Sequence, residues 1–303
     1  MRIGTRRSAL ALTQARLVAD RLDIGPQPDS EIVPIVTQGD RGAGLQDKSR
    51  WVSELEDALL QGEIDLAVHS AKDVPGELAD GLVLLGAPTR AGAADVLCGA
   101  DGLDALADGA RVGTSSIRRA AQLRSVREDL EVIAMRGNVD TRLSRLEQGD
   151  FDAIVLAGAG LERLGRSDAI GAVLDPGLFV PAPGQGTLAL QARADDARVR
   201  QAVRAISDSE AFACLLAERA LARELSASCN TPLGARAVPA GDGRLRLRAW
   251  VGLPDGSAWI RDELLGGLEE EERLGHDVGV RMKLAGAGEM LQHAEEMASV
   301  GNA

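Results

Sequence analysis

Aromatic side chains are scarce in this sequence, because its 303 residues contain no tyrosine, three phenylalanines and three tryptophans. So few rings leave few platforms on which bases or other flat ligands could stack. Long apolar runs are missing too, since none approaches the roughly 18 residues of a membrane span. The first residues, MRIGTRRSALALTQ, contain only a short and interrupted apolar stretch, which is not typical of a secretory signal.

Cysteine and histidine are almost as rare, with three of each. Cys98, Cys214 and Cys229 are odd in number and far apart, which suits neither a disulfide framework nor a zinc site of paired cysteines. The histidines do not occur in a metal-binding pattern. The sequence therefore predicts no metal site and a reducing, cytoplasmic setting.

Lysine is nearly absent as well, because Lys48, Lys72 and Lys283 are the only lysines among 34 basic residues. The formal net charge is −12, whereas a nucleic-acid-binding protein more often has a basic excess. Arginine's planar, permanently charged fork suits bidentate recognition of carboxylates and phosphates. The positions of the arginines are therefore the most informative part of the charge pattern.

Short strands alternate with helices over the first 200 residues, a pattern typical of mainly parallel sheets covered by helices. One example is a strand at Arg2–Thr5, followed by a helix that Ser8 caps and that runs to about Leu22. A strand at Arg111–Gly113, with a helix from the following serines to about Val126, repeats the pattern.

The pattern changes from about Ser207. A helix over 208–224 precedes two strand candidates, 245–251 and 257–264, and a final helix is predicted over 281–297. A Pro/Gly turn separates the two strands, as in an antiparallel pair. We therefore expect an α/β protein with mainly parallel sheets and a smaller C-terminal α+β domain with an antiparallel sheet.

Four segments carry residues suited to chemistry, and the first is His69–Pro75 at the end of a predicted parallel strand. Ligands of open α/β sheets bind beyond such strand ends. Asp73 could accept a proton or stabilise a developing cation, and Lys72 could hold an anion or keep the aspartate ionised. The alternative is a loop with a surface ion pair.

The second segment, Gly113–Arg119, lies where a strand ends and a helix begins. Backbone N–H groups at a helix N-terminus favour anions, and Ser115 and Ser116 add further donors. Arg118 and Arg119 add two positive charges. Simple N-capping beside solvated arginines would account for the same residues.

The third segment, Arg136–Arg142, lies at another strand-to-helix junction. Arg6 with Ser8 occupies a similar position near the N-terminus, and Arg163 follows a further strand. Arginines gathered beyond several strand ends would form a positive cleft that attracts a polyanionic ligand. The fourth segment, Ser228–Gly234, places Cys229 in a predicted loop, as a reactive thiol or as an inert buried one.

Six motifs occur together and in order: Ile3–Leu12, His69–Pro75, Gly113–Arg119, Arg136–Arg142, Pro181–Gly186 and Ser228–Gly234. In this combination the chain resembles the porphobilinogen deaminase, or hydroxymethylbilane synthase, family from residue 3 to about residue 240. The resemblance implies two α/β domains like those of periplasmic binding proteins, and a third domain. Domain 1 would comprise residues 1–88 and 187–204, domain 2 residues 92–181, and domain 3 residues 208–303.

The resemblance also implies an enzyme that joins four porphobilinogen molecules head to tail, releasing ammonia each time. A dipyrromethane cofactor, linked by a thioether to Cys229, would serve as primer, and hydrolysis would free hydroxymethylbilane. Asp73 would be the catalytic carboxylate. The cofactor would be bound by Cys229, Lys72, Ser115, Ser116, Arg118, Arg119 and Arg136, and the substrate by Arg6, Ser8, Lys48, Arg142, Arg163 and Gln185.

A monomer is expected from the resemblance, with porphobilinogen as its small-molecule partner and a possible hand-off of product to uroporphyrinogen-III synthase. The loop near Lys48 departs from the family pattern, because Ser49 and Arg50 replace the glycine and apolar residues expected there. Three rival functions stay open: a non-catalytic anion-binding module of periplasmic-binding type, a nucleic-acid-binding protein, and a homologue that has lost its activity.

Overall fold

A computed structural model describes residues 1–23, 29–37, 49–227 and 231–300, with the backbone alone at 49–51 and 298–300. The chain divides into two compact units. Unit 1 comprises Met1–Ala91 and Thr187–Leu215, and unit 2 comprises Gly92–Gly186 and Leu216–Ala303. Unit 1 is discontinuous in sequence, because its two segments flank residues 92–186. The separation of domains 2 and 3 stays a prediction.

The regular elements follow one another in the order β1 (Arg2–Arg6), α1 (Ala9–Leu22), β2 (Glu31–Ile35), α2 (Ser49–Leu60), β3 (Leu66–Ser70), β4 (Leu82–Gly86), β5 (Asp95–Cys98), β6 (Arg111–Gly113), α3 (Ile117–Val126), β7 (Glu131–Ile133), α4 (Val139–Glu147), β8 (Ala153–Ala157), α5 (Gly158–Arg163), β9 (Ala172–Val173), β10 (Leu188–Arg193), α6 (Ala197–Ile206), α7 (Ser209–Glu224), β11 (Leu233–Gly241), β12 (Arg244–Gly252), β13 (Trp259–Gly267), α8 (Glu271–Leu284) and α9 (Ala287–Val300). Short 3-10 turns, among them Ala71–Asp73, lie between some of these elements.

The sheet of unit 1 has the strand order β2-β1-β3-β10-β4. β1 is parallel to both β2 and β3, whereas β10 runs antiparallel to its neighbours β3 and β4. Apolar side chains cover both faces, as expected when helices flank a sheet. Val18 and Val203 pack with strand residues on one side, and Leu55 and Leu59 pack with Ile64 in a second cluster.

Unit 2 contains a second five-stranded sheet, of order β7-β6-β8-β5-β9. It repeats the arrangement of the first: β6 is parallel to β7 and β8, and β5 runs antiparallel to its neighbours β8 and β9. In both sheets four strands share one direction and a single strand is reversed. The prediction of two mainly parallel sheets is therefore confirmed.

The C-terminal part of unit 2 forms an antiparallel sheet of order β11-β12-β13. The antiparallel pair β12–β13 was predicted, but β11 was not, because Gly234 and Pro239 within it resemble loop residues. Trp250 of β12 is fully buried and packs with Ala121 of α3 and with Val180. Through this cluster the antiparallel sheet and the second α/β sheet share packing within one unit.

One helix prediction is wrong. The single helix expected over 281–297 is two helices, α8 and α9, which meet at Gly286. Gly286 has a backbone φ of +95°, a conformation that glycine adopts without the steric cost of a side chain. Its N–H donates to the carbonyl of Lys283, which closes the last turn of α8.

Candidate functional site

Two strand-to-helix junctions of unit 2 carry the predicted anion-binding residues. The Ser116 hydroxyl caps α3 by accepting the Arg119 N–H at 3.4 Å. At the next junction, Asn138 caps α4 by accepting the Thr141 N–H at 2.8 Å. Both caps follow parallel strands of the same sheet, so both helices begin at the same edge. Ser116 therefore caps α3, but Arg118 and Arg119 beside it are buried and not solvated as the simple-capping alternative expected.

The side chain of Arg142 joins these two junctions. Its Nε donates to the carbonyl of Gly137 at 2.8 Å, and its Nη2 donates to the Ser115 hydroxyl at 3.0 Å. Burial, together with the positive charge of Arg119, lowers the pKa of Arg142 to about 10. Among the residues that the structure describes, no carboxylate forms an ion pair with Arg142. The guanidinium is therefore a half-buried positive charge that an anionic ligand would stabilise.

Arg118 and Arg119 are buried, with exposed fractions of 4% and 7%, and both bind the fully buried Asp95. Nη1 of Arg118 donates to one Asp95 carboxylate oxygen at 2.8 Å, and Nε of Arg119 donates to the other at 2.8 Å. Burial alone would raise the pKa of Asp95, but the two guanidinium charges outweigh it and hold that pKa well below its ordinary value. Asp95 is thus ionised and fixes both arginines.

Gln185 completes this cluster. Its amide nitrogen donates to Asp95 at 2.8 Å and to the carbonyl of Ala93 at 2.7 Å. The side chain is 1% exposed, so these bonds are shielded from water. Arg163 lies beside the same segment, because its Nη2 donates to the carbonyl of Gly186 at 2.7 Å. The structure thus joins Gln185 to the arginines through Asp95, an arrangement that sequence reasoning did not anticipate.

Positive charge exceeds negative charge in this part of unit 2. Asp95 balances one of the three charges of Arg118, Arg119 and Arg142, and the exposed Arg136 directly precedes the turn that Arg142 binds. The Nε of Arg118 is buried and makes no hydrogen bond to any described residue. Such a set of donors fits a ligand with several carboxylates. We refer to Arg118, Arg119, Arg136, Arg142 and Asp95 as the arginine cluster.

In unit 1, Asp73 ends the short turn that follows β3. The turn begins at Ala71, whose N–H donates to the carbonyl of Thr187 at 3.0 Å. Asp73 and Lys72 are half-buried, and within the described part of the chain the Asp73 carboxylate forms no hydrogen bond or ion pair. The alternative of a Lys72–Asp73 surface ion pair is therefore not observed.

Arg6 is the last residue of β1, and Ser8 lies just beyond this strand, next to the end of β3. Ser8 caps α1 as predicted, since its hydroxyl accepts the Ala11 N–H at 3.3 Å. Because β1 and β3 are parallel neighbours, Arg6 at the end of β1 and Asp73 after β3 lie at the same edge of the sheet. Lys48 and Cys229 lie outside the described residues, so their predicted roles stay predictions.

The other predicted features of the site concern cysteines and metals. Cys98 and Cys214 are buried, as expected of inert thiols, and burial raises the pKa of the Cys98 thiol to about 11. Across the described ranges, no three His, Cys, Asp or Glu side chains converge as a metal site would require. Within the same ranges no helix has the length and apolarity needed to cross a membrane.

Sequence reasoning missed two buried carboxylates of unit 2. Asp95 is one, and its signal was a single charged residue at the start of the apolar run DVLC. Glu218 is the other: it is fully buried and accepts the N–H groups of Gly184 at 2.6 Å and Ala237 at 2.7 Å. A charged residue inside an apolar segment indicates a buried partner, but its partner lies far along the chain.

Comparisons with known proteins show which family this chain resembles. Residues 1–201 match the family model described as "Porphobilinogen deaminase, dipyromethane cofactor binding domain", and residues 212–284 match "Porphobilinogen deaminase, C-terminal domain". The chain is 45% identical to the porphobilinogen deaminase of Thermus thermophilus, over 95% of this chain and 97% of that protein. It is 43% identical to the porphobilinogen deaminase of Deinococcus radiodurans, over 97% and 98% of the two chains.

Among solved structures, an immunogenic lipoprotein A from Vibrio vulnificus aligns with a TM-score of 0.42 at 14% identity, covering 70% of this chain and 96% of that one. A periplasmic substrate-binding protein from Coxiella burnetii aligns with the same TM-score at 17% identity, covering 68% and 91% of the two chains. The sequence matches span both units at more than 40% identity. This chain belongs to the porphobilinogen deaminase family.

Proposed function

We propose that this chain joins four porphobilinogen molecules head to tail, with loss of one ammonia at each addition, and then releases hydroxymethylbilane by hydrolysis. The observation that carries the proposal is the match to two porphobilinogen deaminase models over residues 1–201 and 212–284. The charge pattern supports it, because each pyrrole brings an acetate and a propionate, and the arginine cluster has more positive than negative charge.

A dipyrromethane cofactor fits the donors of the arginine cluster. The buried Nε of Arg118 and the carboxylate-free guanidinium of Arg142 are suited to carboxylate side chains. When bound, the dipyrromethane supplies the free pyrrole carbon to which the first substrate is joined. Its attachment through a thioether to Cys229 is part of the proposal. The remaining holding residues would be Lys72, Ser115, Ser116, Arg118, Arg119 and Arg136.

Asp73 is the proposed catalytic carboxylate. Loss of ammonia from porphobilinogen leaves positive charge on the pyrrole, and a nearby carboxylate stabilises such charge as it develops. The same group can take part in moving the proton that leaves after carbon–carbon bond formation. Two observations support the role: the half-buried setting of Asp73 beyond a strand end, and the absence of any described partner that would occupy its oxygens.

Arg6, Arg142 and Arg163, with Ser8 and Lys48, are the proposed contacts to the substrate carboxylates. Arginine suits this role because it stays charged and can bind both oxygens of a carboxylate. Gln185, also predicted to contact substrate, donates to Asp95 instead. We therefore assign Gln185 an indirect role, in which it holds the carboxylate that orients Arg118 and Arg119.

Several finer features belong to the proposal as well. They are a division into three domains, a monomeric state, a cytoplasmic location and a hand-off of product to uroporphyrinogen-III synthase. The first two are open to direct measurement by limited proteolysis and by light scattering. Each follows from the family and not from contacts within the described residues.

An intact-mass measurement tests the proposal most directly. The purified protein should carry an increment equal to two porphobilinogen units less two ammonia, and Cys229→Ser should lack it. Cys98→Ala is the matched control, since it removes a buried thiol and should retain the increment. A chain that stays unmodified after incubation with porphobilinogen would contradict the proposal and favour a non-catalytic anion-binding protein or a homologue that has lost its activity.

A further inference from the structure

A buried chain of hydrogen bonds in unit 1 connects helix α2 to the strand that leads to Asp73. Nε2 of His69 lies 2.9 Å from the amide oxygen of Gln191, and the amide nitrogen of Gln191 lies 2.7 Å from Oε1 of Glu56. His69 is 5% exposed and Gln191 is fully buried, so water cannot readily replace these bonds. We call His69, Gln191 and Glu56 the polar relay.

The direction of each hydrogen bond in the polar relay follows from the chemistry of its members. A glutamate carboxylate accepts hydrogen bonds, so the Gln191 amide must present its nitrogen to Glu56 and its oxygen to His69. An amide oxygen can only accept, which requires Nε2 of His69 to carry the hydrogen. The orientation of the Gln191 amide therefore requires a hydrogen on Nε2 of His69. Reversing any one bond would leave two acceptors or two donors facing each other.

The register of the sheet explains why these residues meet. His69 of β3 lies opposite Ala189 of β10, and Gln191 is two residues further along β10 on the same face. Diagonal neighbours of this kind are within reach of long side chains. The opposite face of β3 is held at the adjacent residue, because the Gln14 amide nitrogen donates to the Ser70 hydroxyl at 2.9 Å. The end of β3 is thus held from both faces.

The turn that carries Asp73 begins immediately after these two anchored residues. Ala71 is tied to Thr187, which directly precedes β10, so the start of the turn is fixed relative to the strand that carries Gln191. Only Lys72 separates Ala71 from Asp73. A small rotation at His69 would therefore also displace the Asp73 carboxylate, because the segment between the two residues is short.

We propose that the polar relay positions the Asp73 carboxylate, so that His69, Gln191 and Glu56 determine the rate of the reaction without touching the substrate. The inference rests on the proposed function of Asp73. It assigns positioning roles to three residues, one of which, Glu56, belongs to helix α2. Misplacement of a catalytic group by about 1 Å can cost up to about a hundredfold in rate.

The variant Gln191→Glu tests the relay, because it places a second carboxylate against Glu56 while conserving shape. We expect kcat to fall by about tenfold or more, because the orientation of Asp73 affects the reaction more than substrate binding. KM for porphobilinogen should stay within about twofold. If this variant does not accumulate as folded protein, Gln191→Met removes the same two bonds and carries the same expectation.

The double variant Gln191→Glu with Glu56→Gln should restore the hydrogen bonds that Gln191→Glu removes. Its carboxylate at position 191 can accept from Nε2 of His69 and from the new amide at position 56, so every bond of the polar relay has a donor and an acceptor again. We expect kcat to return to within about threefold of the original enzyme. A double variant as slow as Gln191→Glu would overturn the proposal.

Asp65→Asn is the matched control for loss of stability. Asp65 directly precedes β3 at its other end, is 8% exposed, and accepts the N–H of Arg2 at 2.8 Å. This variant should lower the melting temperature and leave kcat unchanged at temperatures where the protein is folded. The relay proposal fails if Asp65→Asn lowers kcat as much as Gln191→Glu, or if Gln191→Glu leaves kcat unaltered. An unsubstituted chain without the mass increment or without turnover contradicts the proposed function instead.

Discussion

The two five-stranded sheets share one pattern of strand directions, and in each the single reversed strand carries a fully buried polar residue. In unit 1 this residue is Gln191 of β10, which binds a histidine and a glutamate through neutral amide hydrogen bonds. In unit 2 it is Asp95 of β5, which is charged and binds two arginines. The reversed strand therefore carries part of a directional hydrogen-bond chain in one sheet and part of an ion cluster in the other.

This difference shows how one topology can serve two kinds of chemistry. Both sheets present the ends of parallel strands at one edge, where ligands of α/β proteins bind. In unit 1 the Asp73 carboxylate has no partner among the described residues, whereas in unit 2 the ion cluster leaves arginines in excess. In each sheet the reversed strand supplies the buried polar group, Gln191 or Asp95. The identity of these side chains, and not the arrangement of strands, therefore determines which ligand each sheet suits.

Asp73→Asn should have the largest effect and would test the unit 1 side of the comparison. The amide keeps the shape but loses the charge that stabilises a developing cation, so turnover should fall by about 100- to 10,000-fold. Folding and the covalent mass increment should be retained. Steady-state kinetics and intact mass together check this, with the exposed Asp80→Asn as a control on the same unit. Near-normal turnover in Asp73→Asn would remove this residue from the mechanism.

Asp95→Asn tests the comparison in unit 2. It should destabilise the folded protein, because it leaves two buried guanidinium groups without a countercharge. Removing one partner from a buried ion cluster costs about 3–5 kcal/mol in the free energy of unfolding. Gln191→Leu, the corresponding change in unit 1, should cost less, about 1–3 kcal/mol, because it leaves only neutral or partly exposed partners unsatisfied. Chemical denaturation measures both values. Equal losses in the free energy of unfolding would contradict the claim that the ion cluster of unit 2 is more costly to disrupt than the amide hydrogen bonds of unit 1.

Arg142→Gln should weaken ligand binding without a comparable loss of stability. A charge-assisted hydrogen bond contributes about 1.5–3 kcal/mol, so KM for porphobilinogen should rise by about tenfold or more. Arg145→Gln is the matched control on the same helix, since Arg145 pairs with Asp150 at the surface. A similar rise in KM for both variants would indicate a general effect of helix charge and not a specific contact.

The pH dependence of stability should show the smallest effect. The folded-state pKa of Asp95 is depressed, so its contribution to stability is fully present above the unfolded-state pKa and is lost as the pH falls. The free energy of unfolding should therefore decline below about pH 4, near the ordinary aspartate pKa. Asp95→Asn should show a shallower decline over that range. Denaturation at several pH values measures the two slopes, and parallel curves would contradict the assignment.

Local signals in the sequence predicted much of the fold and of the strand-end residues. Ser8 caps α1 as expected, and Ser116, one of the two serines expected to begin the later helix, caps α3, because an N-cap depends only on residues within one turn. The strand Arg111–Gly113 has the predicted bounds, and the helix after it ends at Val126 as expected, for the same reason.

The features that the sequence did not predict depend either on partners far along the chain or on a glycine or proline that is compatible with more than one local structure. Asp95 binds residues 23, 24 and 90 positions away, a pairing that no local pattern indicates. The break at Gly286 was missed because a glycine inside an apolar–polar pattern is compatible with a continuous helix until its positive φ is known. β11 was missed because a proline in an edge strand resembles a turn.

The discontinuity of unit 1 has a consequence for the order in which the protein is made. β10 lies between β3 and β4, so the sheet of unit 1 cannot form completely until residues 188–193 have left the ribosome. All strands of the second α/β sheet lie between residues 95 and 173 and are synthesised earlier. The five-stranded sheet of unit 2 can therefore form first. Until β10 is available, the sheet of unit 1 is incomplete and one edge of β3 is unpaired. Exposed strand edges favour aggregation, so synthesis across residues 92–187 is the interval in which this chain is most open to misfolding.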